Sequence, residues 1–406
     1  MSFFNDYFEY VGESEAPSIY HRWCSISMLG ALLCRNVWFP FGHSKIYPNQ
    51  YIMLMGSPGT RKGTAINISR KLLQGTGFNR FAPDRLSKER FLMEMKPPFS
   101  EELDNDLEML LIDAPHELYV VAEEFTDFVG QGGMEFMTML TKLWDNLDEY
   151  THPKIHGKSI VVDKPTVNII GGNTAQGLAL AIPPEALGNG FMSRVIFVHS
   201  DPTGRQITFP KKASSLLRDT LVKRMKEIQK EVTGEVSYSE DAGVLLDRMY
   251  KEYINVDDHR FSHYGTRRFT HLLKLCIIFA ASELRTNITR EDTLRANTIL
   301  YYTELRMPKA LGEFGRSKHS DNAHAILELL GNSIKPWTIN EIYKQVAKDI
   351  SDQRDLSTIL KNLISAEKIQ VVTIKGKQGY MPLHKEVIRM NPALLDESFL
   401  RDEELI

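Results

Sequence analysis

The strongest chemical signal in the chain is one short run, Gly56-Ser57-Pro58-Gly59-Thr60-Arg61-Lys62-Gly63-Thr64. Glycines let backbone N–H groups wrap phosphate oxygens, a lysine reaches the terminal phosphates, and a hydroxyl can hold Mg²⁺. Gly56, Pro58, Gly59, Thr60 and Lys62 stand where such a loop needs them, and Ala65 begins the helical pattern that follows. A helix starting at the loop adds a dipole that favours anions. Two positions depart from the pattern. Arg61 stands where the last glycine is usual, and Gly63 stands where Ser or Thr would follow the lysine. Thr64, one position on, is then the expected source of the hydroxyl. The blander alternative is a Gly/Pro turn joining a strand to a helix.

Val120-Val121-Ala122-Glu123-Glu124 is an apolar run ending in two acids, roughly 60 residues beyond the loop. In such a pair one carboxylate orders the metal shell and the next polarises an attacking water. Glu123, with Thr64, is expected to hold Mg²⁺, and Glu124 to act as the base. Asn173 ends the run Thr166–Ile170 and Gly171-Gly172, and its amide could position the water. The competing reading is a Gly-Gly-Asn turn. Arg194, in Gly190-Phe-Met-Ser-Arg194-Val195, is far from the loop in sequence and suits action on a neighbouring subunit's nucleotide. A surface salt bridge is its alternative. Arg267 and Arg268 begin an apolar helix, where cations oppose the dipole, so one of them is expected to reach the nucleotide. Lys154, His156 and Lys158 cluster at a hairpin tip and could contact a phosphate backbone. A polar tip is as often simply solvated.

These residues need elements to position them. Residues 1–45 read as helix, with Tyr20–Arg35 the apolar part and a stop near Pro40–Gly42. Tyr51–Met55, Leu118–Ala122, Thr166–Ile170 and Val195–Val198 read as buried strands. Ala65–Leu73 and Phe136–Leu147 read as helices, and Tyr150–Lys164 as a hairpin around Gly157. Buried strands alternating with helices predict an α/β fold with a mostly parallel sheet over 46–209. Residues 80–115, with the acidic run Glu101–Glu108, read as a helix and loop excursion. Residues 210–312 are helical in pattern and form a lid. Gly312–Ser320 reads as a linker. Over 321–385, Ala323–Leu330, Thr338–Val346 and Arg354–Glu367 are helices, followed by strands Ile369–Ile374 and Gly379–Leu383. Thr338 and Glu341 form a capping box. Three helices and a two-stranded wing is the order of a winged helix. Residues 386–406 are an acidic tail, expected to fray.

The chain has 406 residues, 25% of them charged and 42% hydrophobic, with net charge −3. This is the composition of a globular protein of two or three domains. Absence of an apolar run of about 18 residues predicts no membrane span. The aromatic, acidic start does not resemble a secretory signal. Three scattered cysteines, Cys24, Cys34 and Cys276, predict a reduced cytoplasmic setting and no zinc site. Near-neutral charge does not exclude nucleic acid, because a ring-shaped motor concentrates its contacts on a few residues repeated around a pore.

The loop with its Tyr47-Pro-Asn-Gln-Tyr51 lead-in, Glu123-Glu124, the hairpin before Asn173, Ser193-Arg194, the helical lid and the winged helix together resemble the AAA+ ring ATPases of phages and mobile elements. The order is also similar to minichromosome maintenance and superfamily 3 helicases. The resemblance implies an AAA+ P-loop NTPase core with helical lid and winged helix, ATP and Mg²⁺ as cofactors, and a hexameric homo-oligomer. It further implies single-stranded or forked DNA as partner, other replication proteins nearby, and a bacterial host cytoplasm. In that family the hairpin lines the pore, the arginine of a Ser-Arg motif reaches the neighbour's ATP, and a lid arginine senses nucleotide. The expected function is an ATP-driven replicative DNA helicase. Two alternatives stay open: an AAA+ loader or remodeller of a protein partner, and a winged-helix DNA-binding regulator with a degenerate nucleotide site.

Overall fold

The computed structural model describes residues 2–12, 14–96, 116–130, 133–153, 159–181, 190–210, 213–312, 318–331, 335–348, 350, 352–365, 368–374, 377–383 and 389–405. They belong to two compact units, Met1–Gly312 with Met390–Ile406, and Glu313–Arg389.

The first unit begins with α1 (Phe3–Val11) and α2 (Ser18–Leu33), then β1 (Val37–Phe41), β2 (Ser44–Ile46), β3 (Tyr51–Met55) and α3 (Lys62–Gln74). It continues with α4 (Lys88–Glu94), β4 (Glu117–Ala122), α5 (Phe125–Val129), α6 (Gly133–Trp144), β5 (Glu149–His152), β6 (Ile160–Asp163), β7 (Thr166–Asn173), α7 (Ala175–Ala181) and β8 (Ile196–His199). The helical region holds α8 (Ser215–Glu231), β9 (Gly234–Glu235), β10 (Ser237–Tyr238), α9 (Glu240–Lys251), α10 (Gly265–Ser282), β11 (Asn287–Ile288), α11 (Arg290–Glu304) and α12 (Met307–Ala310).

The fold is mixed α/β. Four strands make a parallel sheet in the order β4-β7-β3-β8. Phe81 adds a parallel bridge to Tyr119 beyond β4. Every residue of β3 and of β7 is buried, which explains their apolar runs: parallel strands are covered on both faces. All sixteen residues of α2 are buried too, so it lacks an amphipathic stripe. Several of its polar groups are answered across the core. Tyr20 Oη donates to Met55 O at 2.6 Å, Trp23 Nε1 donates to Thr303 Oγ1 at 2.9 Å, and Ser27 Oγ accepts from Tyr119 Oη at 2.9 Å.

The structure differs from the sequence reading in three places. Residues 1–45 are not helical throughout, because β1 and β2 form an antiparallel hairpin with Phe41 opposite Ser44. Gly42, at φ 58°, makes the turn that the aromatic run Val37-Trp-Phe obscured. Gly171-Gly172-Asn173 is strand, not turn, and pairs with Met53–Met55. The acidic tail does not fray. It returns to the first unit.

The second unit contains α13 (Lys318–Gly331), α14 (Ile339–Val346), α15 (Gln353–Ser365), β12 (Ile369–Ile374) and β13 (Lys377–Pro382). The two strands are antiparallel, with Val371 opposite Tyr380. Thr338 and Glu341 form the capping box at the start of α14. Ile326, Leu330, Ile342, Leu356, Leu360 and Ile369 pack into a core of its own. Most of the expected linker (313–317) lies outside the described residues, as does the acidic run at 101–108.

After this unit the chain comes back to the first, ending in α16 (Asp402–Leu405). Glu404 is fully buried and pairs with Arg22 of α2 at 2.8 Å. Phe399 packs edge-on against Phe4 and Phe279. Apolar and aromatic residues interspersed among the acids (Leu394, Phe399, Leu400, Leu405) are the reason the segment docks.

Candidate functional site

The glycine loop joins the C-terminal end of β3 to α3. Lys62 is the first residue of α3, and its Nζ folds back over the loop. It donates to Gly56 O at 2.8 Å, Ser57 O at 3.1 Å and Thr60 Oγ1 at 3.2 Å. Ser57, Pro58 and Gly59 form an exposed crest, whereas Thr60 and Ala65 are buried. Gly56 admits no side chain, since a Cβ there would lie 2.6 Å from Tyr20 Oη and 2.8 Å from Ser200 O. Arg61 caps α3 in the left-handed region, at φ 60° and ψ 29°. That is the conformation a glycine takes freely and costs another residue about 1 kcal/mol. The Arg61 guanidinium reaches Glu15 at 2.6 Å. The backbone shape of a loop glycine is thus kept while the side chain makes a new contact.

The two acids follow β4 directly. Glu123 Oε1 accepts from Asn67 Nδ2 at 2.6 Å, and Oε2 lies over Gly63. Burial raises the pKa of Glu124, with Lys62 opposing and Asp127 and Glu123 adding to the rise. Burial lowers the pKa of Lys62, and Glu124 opposes that shift. The two groups therefore share one electrostatic site. Strand β7 passes between them: a Cβ on Gly172 would meet Glu123 O at 2.4 Å and Lys62 Cβ at 3.5 Å. Asn173 ends β7 opposite Met55, the residue before the loop. Its Oδ1 accepts from Thr174 N at 2.8 Å. Its Nδ2 is buried and has no hydrogen-bond partner among the described residues.

Thr64 is not brought to Glu123. It opens on a cavity of about 480 Å³ lined by Tyr10, Glu15, Arg61, Ile68 and Ile207. Glu123 opens on a different cavity, with Ala82, Val121 and Asp127. One step along a helix turns a side chain by about 100°, so Gly63 lies against the acid and Thr64 lines the other cavity. The pairing of Thr64 with Glu123 is corrected accordingly.

The expected arginines sit at the other end of the sheet. Arg194 closes a short 3₁₀ turn before β8, near the start of β3, and β3 alone spans roughly 15 Å. Arg194 is buried, donates to Gly190 O at 2.8 Å and pairs with Asp145 at 2.6 Å. Arg267 approaches the same Asp145 at 3.8 Å. Both guanidinium groups lie over the Trp144 ring. Neither is beside the loop of its own chain, which corrects Arg267 as a cation acting on that nucleotide. Arg268 is also corrected. Its side chain is 2% exposed and is held by Glu304 at 2.8 Å and Asn297 at 2.8 Å, between α10 and α11. It fixes the helical region rather than facing a ligand. Lys154, His156 and Lys158 lie outside the described residues; strands β5 and β6, which lead to them, pair in antiparallel register.

Sequence reasoning missed several neighbours of the loop. Asn67 stands one helical turn after Gly63, a spacing that could have revealed it. Glu15 and Tyr20 gave no local signal, because their contacts with the loop are long-range. A third cavity, of about 370 Å³, lies beside Ser200 and is lined by His199, Asp201, Arg205, Arg306 and Lys309. Arg306 and Lys309 are helical-region cations that lie, unlike Arg267, at the loop's end of the sheet.

No protein-family model and no curated protein matches the chain. Among the described residues no cluster of three or more His, Cys, Asp or Glu forms a metal-ion site. No helix among them is long and apolar enough to cross a membrane.

Proposed function

We propose that the chain is an ATP hydrolase of AAA+ type that drives movement along DNA, with the Glu313–Arg389 unit serving as a winged helix. One observation carries the reading. Lys62 Nζ is folded onto the carbonyls of a glycine loop at the end of a parallel strand, with Glu124 and Asn173 at the same end. The donor set fits a magnesium triphosphate. Lys62 holds only loop oxygens that a phosphate could replace, and the buried Asn173 Nδ2 is a donor without an acceptor. Mg²⁺ in such sites takes one or two protein carboxylates and completes its shell from phosphates and water, so a three-ligand cluster is not required.

In this mechanism the loop N–H groups and Lys62 bind the β- and γ-phosphates. Glu123 would hold Mg²⁺, which when bound would supply positive charge to offset that developing on the phosphate oxygens. Glu124 accepts the proton of the attacking water, and Asn173 orients that water or the γ-phosphate. Arg194 is assigned to the triphosphate of a neighbouring subunit in a ring, a role that requires its release from Asp145 and Gly190 O. Lys154, His156 and Lys158 contact the DNA backbone.

The test is the ATPase rate with and without single-stranded DNA, together with the mass of the ATP-bound assembly. A DNA-stimulated rate in a ring-sized particle is expected. Lys62→Ala is expected to remain folded by circular dichroism and to lose hydrolysis. A normal rate in Lys62→Ala overturns the site. A rate indifferent to DNA favours a loader acting on a protein, and no nucleotide binding at all favours a DNA-binding regulator.

A further inference from the structure

Gly63, which stands where Ser or Thr would follow the lysine, and Glu123, an acid one methylene longer than aspartate, lie against each other. A Cβ built on Gly63 would stand 2.6 Å from Glu123 Oε2, 3.1 Å from its Cδ and 3.5 Å from its Cγ. With Glu123 in this rotamer, its Oε2 and Cδ stand too close for a Cβ at position 63. A hydroxyl at 63 therefore requires the exposed Glu123 carboxylate to swing away from the position in which Asn67 holds it. An aspartate, shorter by one methylene of about 1.5 Å, would leave room for the hydroxyl. The other oxygen, Oε1, is tethered by Asn67 Nδ2 at 2.6 Å, from the next turn of α3. A longer acid has one more rotatable bond, and this tether restricts it.

Resting on the nucleotide reading above, we propose that Gly63 and Glu123 are a matched pair, in which the longer acid takes over the metal-facing position left by the missing side chain at 63, with Asn67 as its positioning residue. The glycine after Lys62 and the choice of the longer acid at 123 then have a single cause. Restoring the usual hydroxyl at position 63 is harmful here rather than helpful. Thr64 does not substitute for it, since it opens on a separate cavity.

The pairing is tested on the full chain by calorimetric titration with a non-hydrolysable ATP analogue, once with Mg²⁺ and once with EDTA. Gly63→Ser is expected to weaken binding about tenfold or more in Mg²⁺ and to leave binding in EDTA unchanged. Glu123→Asp alone is expected to weaken Mg²⁺-dependent binding as well, because it no longer reaches. The double variant Gly63→Ser with Glu123→Asp is expected to recover most of the loss, the signature of two residues sharing one space. Asn67→Ala adds no atoms, so it tests the tether even where Gly63→Ser fails to fold. It is expected to raise the Mg²⁺ concentration needed for half-maximal binding about tenfold. Gly63→Ser binding like the parent, a double variant no better than Gly63→Ser alone, or an unchanged Mg²⁺ requirement in Asn67→Ala each overturns the pairing. A parent chain that binds no analogue in either buffer overturns the nucleotide reading itself, and the pairing with it.

Discussion

At the residue scale, Glu124 and Lys62 define what the site can do. Glu124 is raised by burial and held back by the Lys62 cation. A base must be ionised to accept a proton, so the rate is expected to fall as pH drops through this raised value. The acid limb of the rate profile then lies at higher pH than for an ordinary carboxylate, which a pH–rate series measures. Removing the Lys62 charge would move Glu124 higher still. Glu124→Gln keeps the shape of the side chain but cannot accept the proton. It is expected to bind triphosphate normally and hydrolyse it about 10²–10⁴-fold more slowly, checked by single-turnover kinetics beside calorimetry. Lys62, Glu124 and Asn173 were legible because each lies at the end of a local pattern. The roles of Arg267 and Arg268 were not. Adjacent residues on a helix point about 100° apart, and nothing local says which one enters the core.

At the element scale, β7 holds the site together. It lies between β3 and β4 and carries two glycines where the acid corner and Lys62 come closest. Gly172→Ala would force a methyl group to within 2.4 Å of the Glu123 carbonyl oxygen. Overpacking of this kind costs about 1–3 kcal/mol, read as a shift in the urea midpoint, and hydrolysis is expected to fall because Glu123 and Glu124 are displaced. The sequence pattern identified all four sheet strands, since fully buried strands are continuous apolar runs. It ended β7 at Ile170 and left a turn open for Gly-Gly-Asn, because that is turn chemistry and close approach of a second strand is a tertiary reason for glycine. It missed the β1–β2 hairpin for the opposite reason: its aromatic residues continued the apolar pattern of the preceding helix.

At the scale of the whole molecule, the last residues close the first unit. Arg22 is buried in α2, its guanidinium sits 4.3 Å from the ring centres of Phe8 and Phe399, and its charge is met by Glu404. Removing one partner of a buried ion pair strands the other. Glu404→Ala is expected to cost about 3–5 kcal/mol, seen as a large drop in melting temperature, although residue 404 lies at the far end of the chain from α2. A tail that merely frayed would give no change.

The sequence by itself determined the strand–loop–helix around Lys62, the acids after β4, the capping box of α14 and the α/β character of the chain. These are set by residues within a few positions of one another, through backbone preference and periodic burial. Only the tertiary structure decided that β7 separates β3 from β4, that Gly63 rather than Thr64 lies against Glu123, that Arg194 stands at the far end of the sheet, and that the tail docks on α2. Those facts depend on register and on which distant surfaces bury each other, and no local pattern encodes the partner of a buried face.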